Sequence, residues 1–330
     1  MATETITGHA STTLTQLLDD ELAFSPSFQG IYSNHLAMAL VALDQLGAPP
    51  DVLRATFDAH ANGEYERRDD RDELEVRRQE VARDGIAATV RVRAAGLVDG
   101  PGTALFHPAI RLGYALDVGH QSQVAAALLD WQRRHQALPV SEPSPGSRRL
   151  VEVAADLAGR PPGTWRRSFD LGGIARRPEL GAALAGVALD EHTLDDLSLF
   201  AIAAHIAADD FITLHLVTGA RAVRTVADWL DGDAAVRLAA NTAPVMAVAY
   251  AAVGAPHLLG PAELDALRRS PLPSRALVAE RAIGDRDPHV VKLTNVALAE
   301  EERTSDALYR YAAARVVGLV PPAHQLVERL

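Results

Sequence analysis

Residues 193–230 read TLDDLSLFAIAAHIAADDFITLHLVTGARAVRTVADWL. Apolar side chains return every three to four positions, the repeat that lays one helix face against a core. This is the longest stretch of the chain to keep that period, and the spacing predicts one helical run from Thr193 to Leu230. Its flanks follow the same rule. Upstream, Ser33 and Asn34 stand as caps before His35-Leu36-Ala37-Met38-Ala39-Leu40, with Gly47 as the stop after Leu46. Pro49, Pro50 and Asp51 open a second helix through Leu53 and Phe57. Turn chemistry over Gly96–Gly102 leads into Phe106-His107-Pro108. Proline is welcome in a first helical turn, so a helix is expected to start at His107 and pass through Ile110, Leu112 and Tyr114. Another is expected over 121–135. Downstream, helices are expected over 233–254, 261–269, 275–283, 288–302 and 305–318.

Residues 61–82 carry charges of both signs and few large apolar side chains, which reads as a solvated helix or linker. Loops are expected at 139–148 and at Pro161-Pro162-Gly163, and Ala88–Val92 (ATVRV) is the one plausible strand. There is no internal repeat and no break in composition. The expected class is all-α: a single large multi-helical domain over residues 1–330, with any metal site between facing helices.

Composition excludes several functions. The net charge of −11 argues against a nucleic-acid surface, which wants clustered basic residues. Cysteine is absent, which removes disulfides, thiolate zinc sites and thiol nucleophiles. The first residues (MATETITGHASTTLTQLLDDEL) are polar and acidic, without the apolar centre of a secretory signal. The alanine-rich run from Thr242 to Gly260 is broken by Pro244, Pro256 and His257, and suits a buried helix better than a membrane span. A cytoplasmic protein with no membrane and no nucleic-acid partner is expected, its oligomeric state left open.

Lys292 is the sole lysine of the chain; all other positively charged side chains are arginine. It lies in Asp287-Pro288-His289-Val290-Val291-Lys292, where a spacing of three puts His289 and Lys292 on one helix face. Arginine stays protonated in proteins, whereas a buried lysine can lose its proton and serve as nucleophile, base or metal-site residue. A solvated surface charge is the competing reading.

Among twelve histidines, His35, His107, His215 and His289 open or occupy apolar helices with few charged neighbours. One such histidine is usually a hydrogen-bonded core residue. Four of them with a lone lysine match the way helical bundles build metal sites from facing helices. Imidazole suits iron, zinc and copper alike. His205 and Asp209, at i and i+4, form a competing pair. Ten residues apart on one helix, His205 and His215 should face different ways, so at most one belongs to a common site. His120 is a weaker candidate and His257 is undecided. His9, His60, His135, His192 and His324 are expected to face solvent.

Other chemistries find no motif. The chain has no glycine-rich dinucleotide fingerprint and no phosphate loop, no Gly-x-Ser-x-Gly elbow, and no His-Asp dipeptide of a metal phosphohydrolase. Asp19-Asp20, Asp195-Asp196 and Asp209-Asp210 lack the further carboxylates of a terpene-cyclase magnesium site.

Four blocks taken in order resemble the questin oxidase-like family. They are Asn34-His35 with Met38-Ala39-Leu40; Phe106-His107-Pro108 with Ile110-Arg111-Leu112-Gly113; Asp210-Phe211 with His215-Leu216-Val217-Thr218; and His289-Val290-Val291-Lys292. The resemblance implies an all-helical fold and oxidative opening of an anthraquinone ring in polyketide metabolism, described as a Baeyer–Villiger-type oxidation using NADPH. A related fungal member is understood to be a non-haem iron dioxygenase, its iron held by four histidines and a carboxylated lysine. Carried over block by block, the resemblance implies His35, His107, His215, His289 and Lys292 as ligands of Fe(2+). Lys292 would be carboxylated by CO2, and Lys292 and His289 would carry the chemistry. Residues 61–104 and 139–190 match nothing in the family and leave the substrate open.

Physical chemistry agrees with that picture. A neutral lysine amine adds CO2 to give a carbamate, an anionic oxygen ligand that guanidinium cannot form. Five ligands leave one octahedral position for O2 or a substrate oxygen. Met38, Phe106, Tyr114, Phe211 and Trp229 are candidates to line a slot for an aromatic polyketide. The expected activity is iron-dependent cleavage of a ring C–C bond by O2. An NADPH-dependent Baeyer–Villiger-type oxidase without a metal is disfavoured by the missing Rossmann signature. A non-catalytic binding protein for an aromatic metabolite is the third reading.

Overall fold

In the computed structural model the described residues are 11–29, 32–61, 63, 65–140 and 146–327. His9 and residues 141–145 of the expected loop lie outside them. The described residues form helices and one small hairpin, so the class is all-α. Helix α1 (Thr12–Glu21) leads through antiparallel strands β1 (Ser27–Phe28) and β2 (Tyr32–Ser33) into α2 (Leu36–Gln45), α3 (Pro50–Ala61), α4 (Arg71–Asp84) and α5 (Ile86–Arg93). Then come α6 (His107–Asp117), α7 (Gln121–Arg134), α8 (Leu150–Ala158), α9 (Leu171–Ala175) and α10 (Pro178–Leu184). The remainder is α11 (Thr193–Ala208), α12 (Phe211–Ala227), α13 (Gly232–Ala252), α14 (Pro261–Arg269), α15 (Arg275–Ile283), α16 (Pro288–Thr304), α17 (Ala307–Val316) and α18 (Ala323–Val327).

Helices α2, α6, α12 and α16 make the centre. Every residue from Leu36 to Leu43 is buried, as is every residue from His107 to Leu116. A helix apolar on all sides belongs inside a core rather than on its surface. The four helices pack on one another and run in the same direction. Their N-terminal turns bring His35, His107, His215 and His289 together, while Gln45, Asp117, Thr225 and Glu302 farther along line one cavity. The alanine-rich run expected to be buried forms α13, and no helix among the described residues is long and apolar enough to cross a membrane.

Three expectations are corrected. The run 193–230 is two helices, because Asp209 adopts a left-handed φ of 46° and Asp210 caps α12 by accepting the Ile212 N–H at 2.8 Å. Aspartate tolerates that backbone better than most residues, and its side chain replaces the missing helical acceptor. His205 and His215 therefore sit on different helices, and their relative facing is not set by a ten-residue separation. Ala88–Val92 is not a strand but part of α5, which buries Thr89 and Val90 and leaves Val92 exposed; packing overrides the local preference of valine. The solvated helix expected within 61–82 is α4, which is exposed along most of its length and turns Leu74, Arg77 and Val81 inward. At the α2 start, Asn34 is the effective cap, its Oδ1 accepting the Leu36 N–H at 2.9 Å, while Ser33 lies in β2.

A buried ionic knot holds the entry to α2 against α6. The Glu21 carboxylate accepts from Arg111, from Asn34 Nδ2 at 3.1 Å and from Gln123 Nε2 at 2.8 Å. It thus joins the residue before His35 to the residue one turn after His107. Removing one partner of such a pair strands the other charge in the core. We expect Glu21→Leu to cost about 3–5 kcal/mol in urea unfolding, and Glu21→Leu with Arg111→Met to recover much of the loss.

Candidate metal centre

Each histidine is aimed by its local backbone. His35 follows the Asn34 cap at the first turn of α2. His107 follows Ala104, Leu105 and Phe106, which adopt consecutive left-handed φ values of 47°, 54° and 67°. Such a conformation costs on the order of 1 kcal/mol per residue outside glycine. It turns the Ala104 carbonyl onto the His107 ring, which donates to it through Nδ1. Phe106 is pinned behind it: a Cβ on Gly219 of α12 would lie 2.7 Å from Phe106 Cγ, so only glycine fits there. His215 donates from Nδ1 to the Phe211 carbonyl at 2.8 Å, one turn back along α12. His289 donates from Nδ1 to Asp287 Oδ1 at 2.8 Å, the same oxygen that accepts the His289 backbone N–H.

These partners decide the tautomers. Carbonyl and carboxylate oxygens only accept, so the proton of His107, His215 and His289 is on Nδ1 and each Nε2 presents a lone pair. His107 Nε2 lies 2.7 Å from His35 Nε2 and 3.2 Å from His215 Nε2. One ligand atom each of His35, His215 and His289 lies within 4.8 Å of the others. Two lone pairs facing at 3.2 Å repel unless a proton or a cation lies between them. His289 Nε2 and Lys292 Nζ are buried and have no hydrogen-bond partner among the described residues.

Protonation does not relieve this arrangement. Burial holds all four imidazole pKa values below the usual histidine range, and the nearby Lys292 charge lowers each further. Burial also brings Lys292 down to about 7, so its amine is readily neutral. Four helix N-termini point at the cluster, and their partial positive charge adds to the resistance against protonation. For the same reason a divalent cation there needs an anionic ligand beside it. A carbamate on Lys292 would supply one, with Asp287 behind His289 as a second negative charge. Neutral imidazoles with a deprotonatable amine fit a borderline transition metal such as iron, zinc or copper.

Sequence reasoning placed these five residues in one site, and the fold brings all five together. The competing pair does not join them. His205 is buried against Thr213 Oγ1 at 3.3 Å, with a pKa brought down by burial to about 4, and Asp209 pairs with Arg315 at 2.8 Å. His120 caps α7, accepting the Gln123 N–H at 3.2 Å. His192, His257 and His324 are exposed. His60 and His135 are only half-buried, bonded to the Thr56 carbonyl at 2.7 Å and Asp99 at 2.9 Å.

Of the proposed lining residues, Phe211 stands at the edge of the cluster. It is 42 % exposed, with its ring centre 4.5 Å from that of His215 and 4.9 Å from that of His289. Tyr114 lies behind Lys292 and donates to Asn295 Oδ1 at 3.1 Å. Phe106 and Met38 pack in the core, and Trp229 lies half-buried against it. Sequence reasoning did not assign Asp287 or the Ala104 carbonyl as partners of the rings. Asp287 was legible as a cap two residues before His289. The left-handed run at Ala104-Leu105-Phe106 carries no residue that announces it.

No protein-family model matches this chain, and no curated protein matches it in sequence.

The buried amine has a consequence for stability. Its folded pKa of about 7 lies below the ordinary 10.5. Between those values the unfolded chain binds a proton that the folded chain does not, so parental stability should climb with pH across that window. In metal-free protein, Lys292→Met should raise the thermal midpoint at neutral pH and abolish the climb. Thermal unfolding from about pH 7 to about pH 10 reads both effects, and a parental curve that is flat there would contradict the assignment.

Proposed function

We propose that this protein is a non-haem iron oxygenase that uses O2 to cleave a ring C–C bond in an anthraquinone-type or related polycyclic aromatic substrate. The observation that carries the reading is the convergence of four imidazoles, three with fixed Nε2 lone pairs, on the amine of the only lysine. The order of the blocks around these residues resembles the questin oxidase-like family and supports the same reading.

In this account His35, His107, His215 and His289 hold Fe(2+), and Lys292 contributes an anionic oxygen as its carbamate. Iron when bound supplies the one-electron chemistry that lets O2 react with a closed-shell ring. The protein does the rest. Burial brings the Lys292 amine down to about 7, so a large share of it is neutral and open to CO2 at neutral pH. Ala104, Phe211 and Asp287 hold three rings in the ligating tautomer through Nδ1. The Phe211 side chain offers a flat apolar surface beside His215 and His289, against which an aromatic ring can lie. The converging helix N-termini favour a substrate in its phenolate form.

Protein purified with iron should carry one iron per chain. Single His35→Ala, His107→Ala, His215→Ala and His289→Ala variants should lose it while remaining helical, with affinity falling by at least about 10–100-fold; His205→Ala should keep it. Lys292→Arg preserves charge and bulk but cannot form a carbamate, so it should lose metal or activity as fully as Lys292→Ala. Folded parent with substoichiometric metal of every kind, or a Lys292→Arg variant as active as the parent in O2 uptake with an anthraquinone-type substrate, would overturn the proposal.

A further inference from the structure

A cavity of about 450 Å³ lies farther along the central helices, between α2, α6, α12, α15 and α16. Thr218 and Asn295 in its wall stand one turn beyond His215 and Lys292, so a single layer of side chains separates cavity from cluster. That layer is closed by the Tyr114–Asn295 hydrogen bond. The walls combine apolar side chains (Leu46, Ile110, Ala279, Val296) with charged ones.

One wall carries two donors that the protein itself leaves without a close acceptor. Arg221 and Thr225 are four residues apart on α12 and share a face. Thr225 Oγ1 is buried with no hydrogen-bond partner among the described residues. The carboxylates paired with Arg221 stand 3.5 Å away at Asp117 and 4.0 Å away at Glu300, beyond the range of a strong charge-assisted hydrogen bond. Both are weak counter-ions. Glu300 binds Arg303 at 2.9 Å and Ser198 at 3.2 Å through Oε2, and turns only Oε1 toward Arg221. The Asp117 carboxyl is pushed up by burial. The other two charges of the wall are matched, with Arg275 held by Glu301 at 3.1 Å and by Glu302 at 3.2 Å. Arg221 therefore keeps guanidinium N–H groups that no carboxylate takes at close range, with Asp117 and Glu300 as its distant counter-ions.

We propose that this cavity is a second ligand site, which holds a small organic carboxylate with its oxygens between Arg221 and Thr225 and its apolar body against Leu46, Ile110, Ala279 and Val296. A planar guanidinium fork matches a carboxylate bidentately, and the volume suits a single-ring acid. The site does not depend on whether the histidines hold iron, so the two readings fail separately.

Benzoate is the probe, titrated into the full-length protein as purified and followed by calorimetry and ligand-observed NMR. Saturable one-to-one binding is expected. Arg221→Gln should weaken it about tenfold or more, Arg221→Lys should weaken it less because a point charge remains, and Thr225→Val should weaken it several-fold. Ala279→Trp should block it by filling the cavity with Arg221 intact, and neutral benzyl alcohol should bind at least about tenfold more weakly. Phe211→Ala, at the histidine edge, should leave it unchanged. The proposal is overturned if folded parent shows no saturable binding. It is equally overturned if helical Arg221→Gln and Ala279→Trp proteins bind benzoate as the parent does, or if Phe211→Ala abolishes binding.

Discussion

The constraint on which the rest depends is the facing of His107 Nε2 toward His35 Nε2 at 2.7 Å and His215 Nε2 at 3.2 Å. His107 and His215 face each other at 3.2 Å with Nε2 lone pairs, which repel, and burial denies them the extra proton that would relieve the repulsion. A neutral His35 carrying its proton on Nε2 would donate to His107 at 2.7 Å. A fold that merely buried histidines would let these rings turn to separate partners. Here each Nδ1 of His107, His215 and His289 is tied to an acceptor that forces its Nε2 inward. The geometry makes sense when something electropositive occupies the centre, and the ferrous ion of our proposal is that species.

Several features around the cluster work against stability and are intelligible only through the site. Three consecutive left-handed residues precede His107. A lysine is held fully buried, its amine without a hydrogen-bond partner among the described residues. Four helix N-termini meet where a cation is proposed to sit, which favours a site completed by an anionic ligand. Backbone strain before His107 beside the buried polar atoms His289 Nε2 and Lys292 Nζ fits a functional centre better than a packing unit.

Much of this was legible in the sequence, for identifiable reasons. Helical periodicity marked α2, α6, α12 and α16 because their apolar repeats are long, and Pro108 and Pro288 marked helix starts at two of the histidines. The spacing of His289 and Lys292 placed them on one face without any tertiary information. The break at Asp209-Asp210 was hidden because the apolar repeat continues across it, and only the left-handed aspartate reveals it. Ala88–Val92 misled because two valines in five residues favour a strand locally, while the packing of Thr89 and Val90 favours a helix. The left-handed turn before His107 and the loose pairing of Arg221 are products of tertiary packing and could not be read from neighbours in the chain.

The central claim is that the imidazoles are neutral, fixed in their Nδ1–H tautomer where an acceptor holds them, and ready to bind one ion together. Nitrogen-15 NMR of histidine-labelled protein reads this directly, in metal-free protein and after titration with Zn(2+) as a diamagnetic stand-in for iron. The account predicts unprotonated Nε2 signals for His107, His215 and His289 that persist well below the ordinary histidine pKa. It also predicts that the Nε2 signals of these three and of His35 shift together and saturate at one equivalent of metal. Rings that titrate near pH 6.5 as free histidines do, or that ignore the metal, would contradict it.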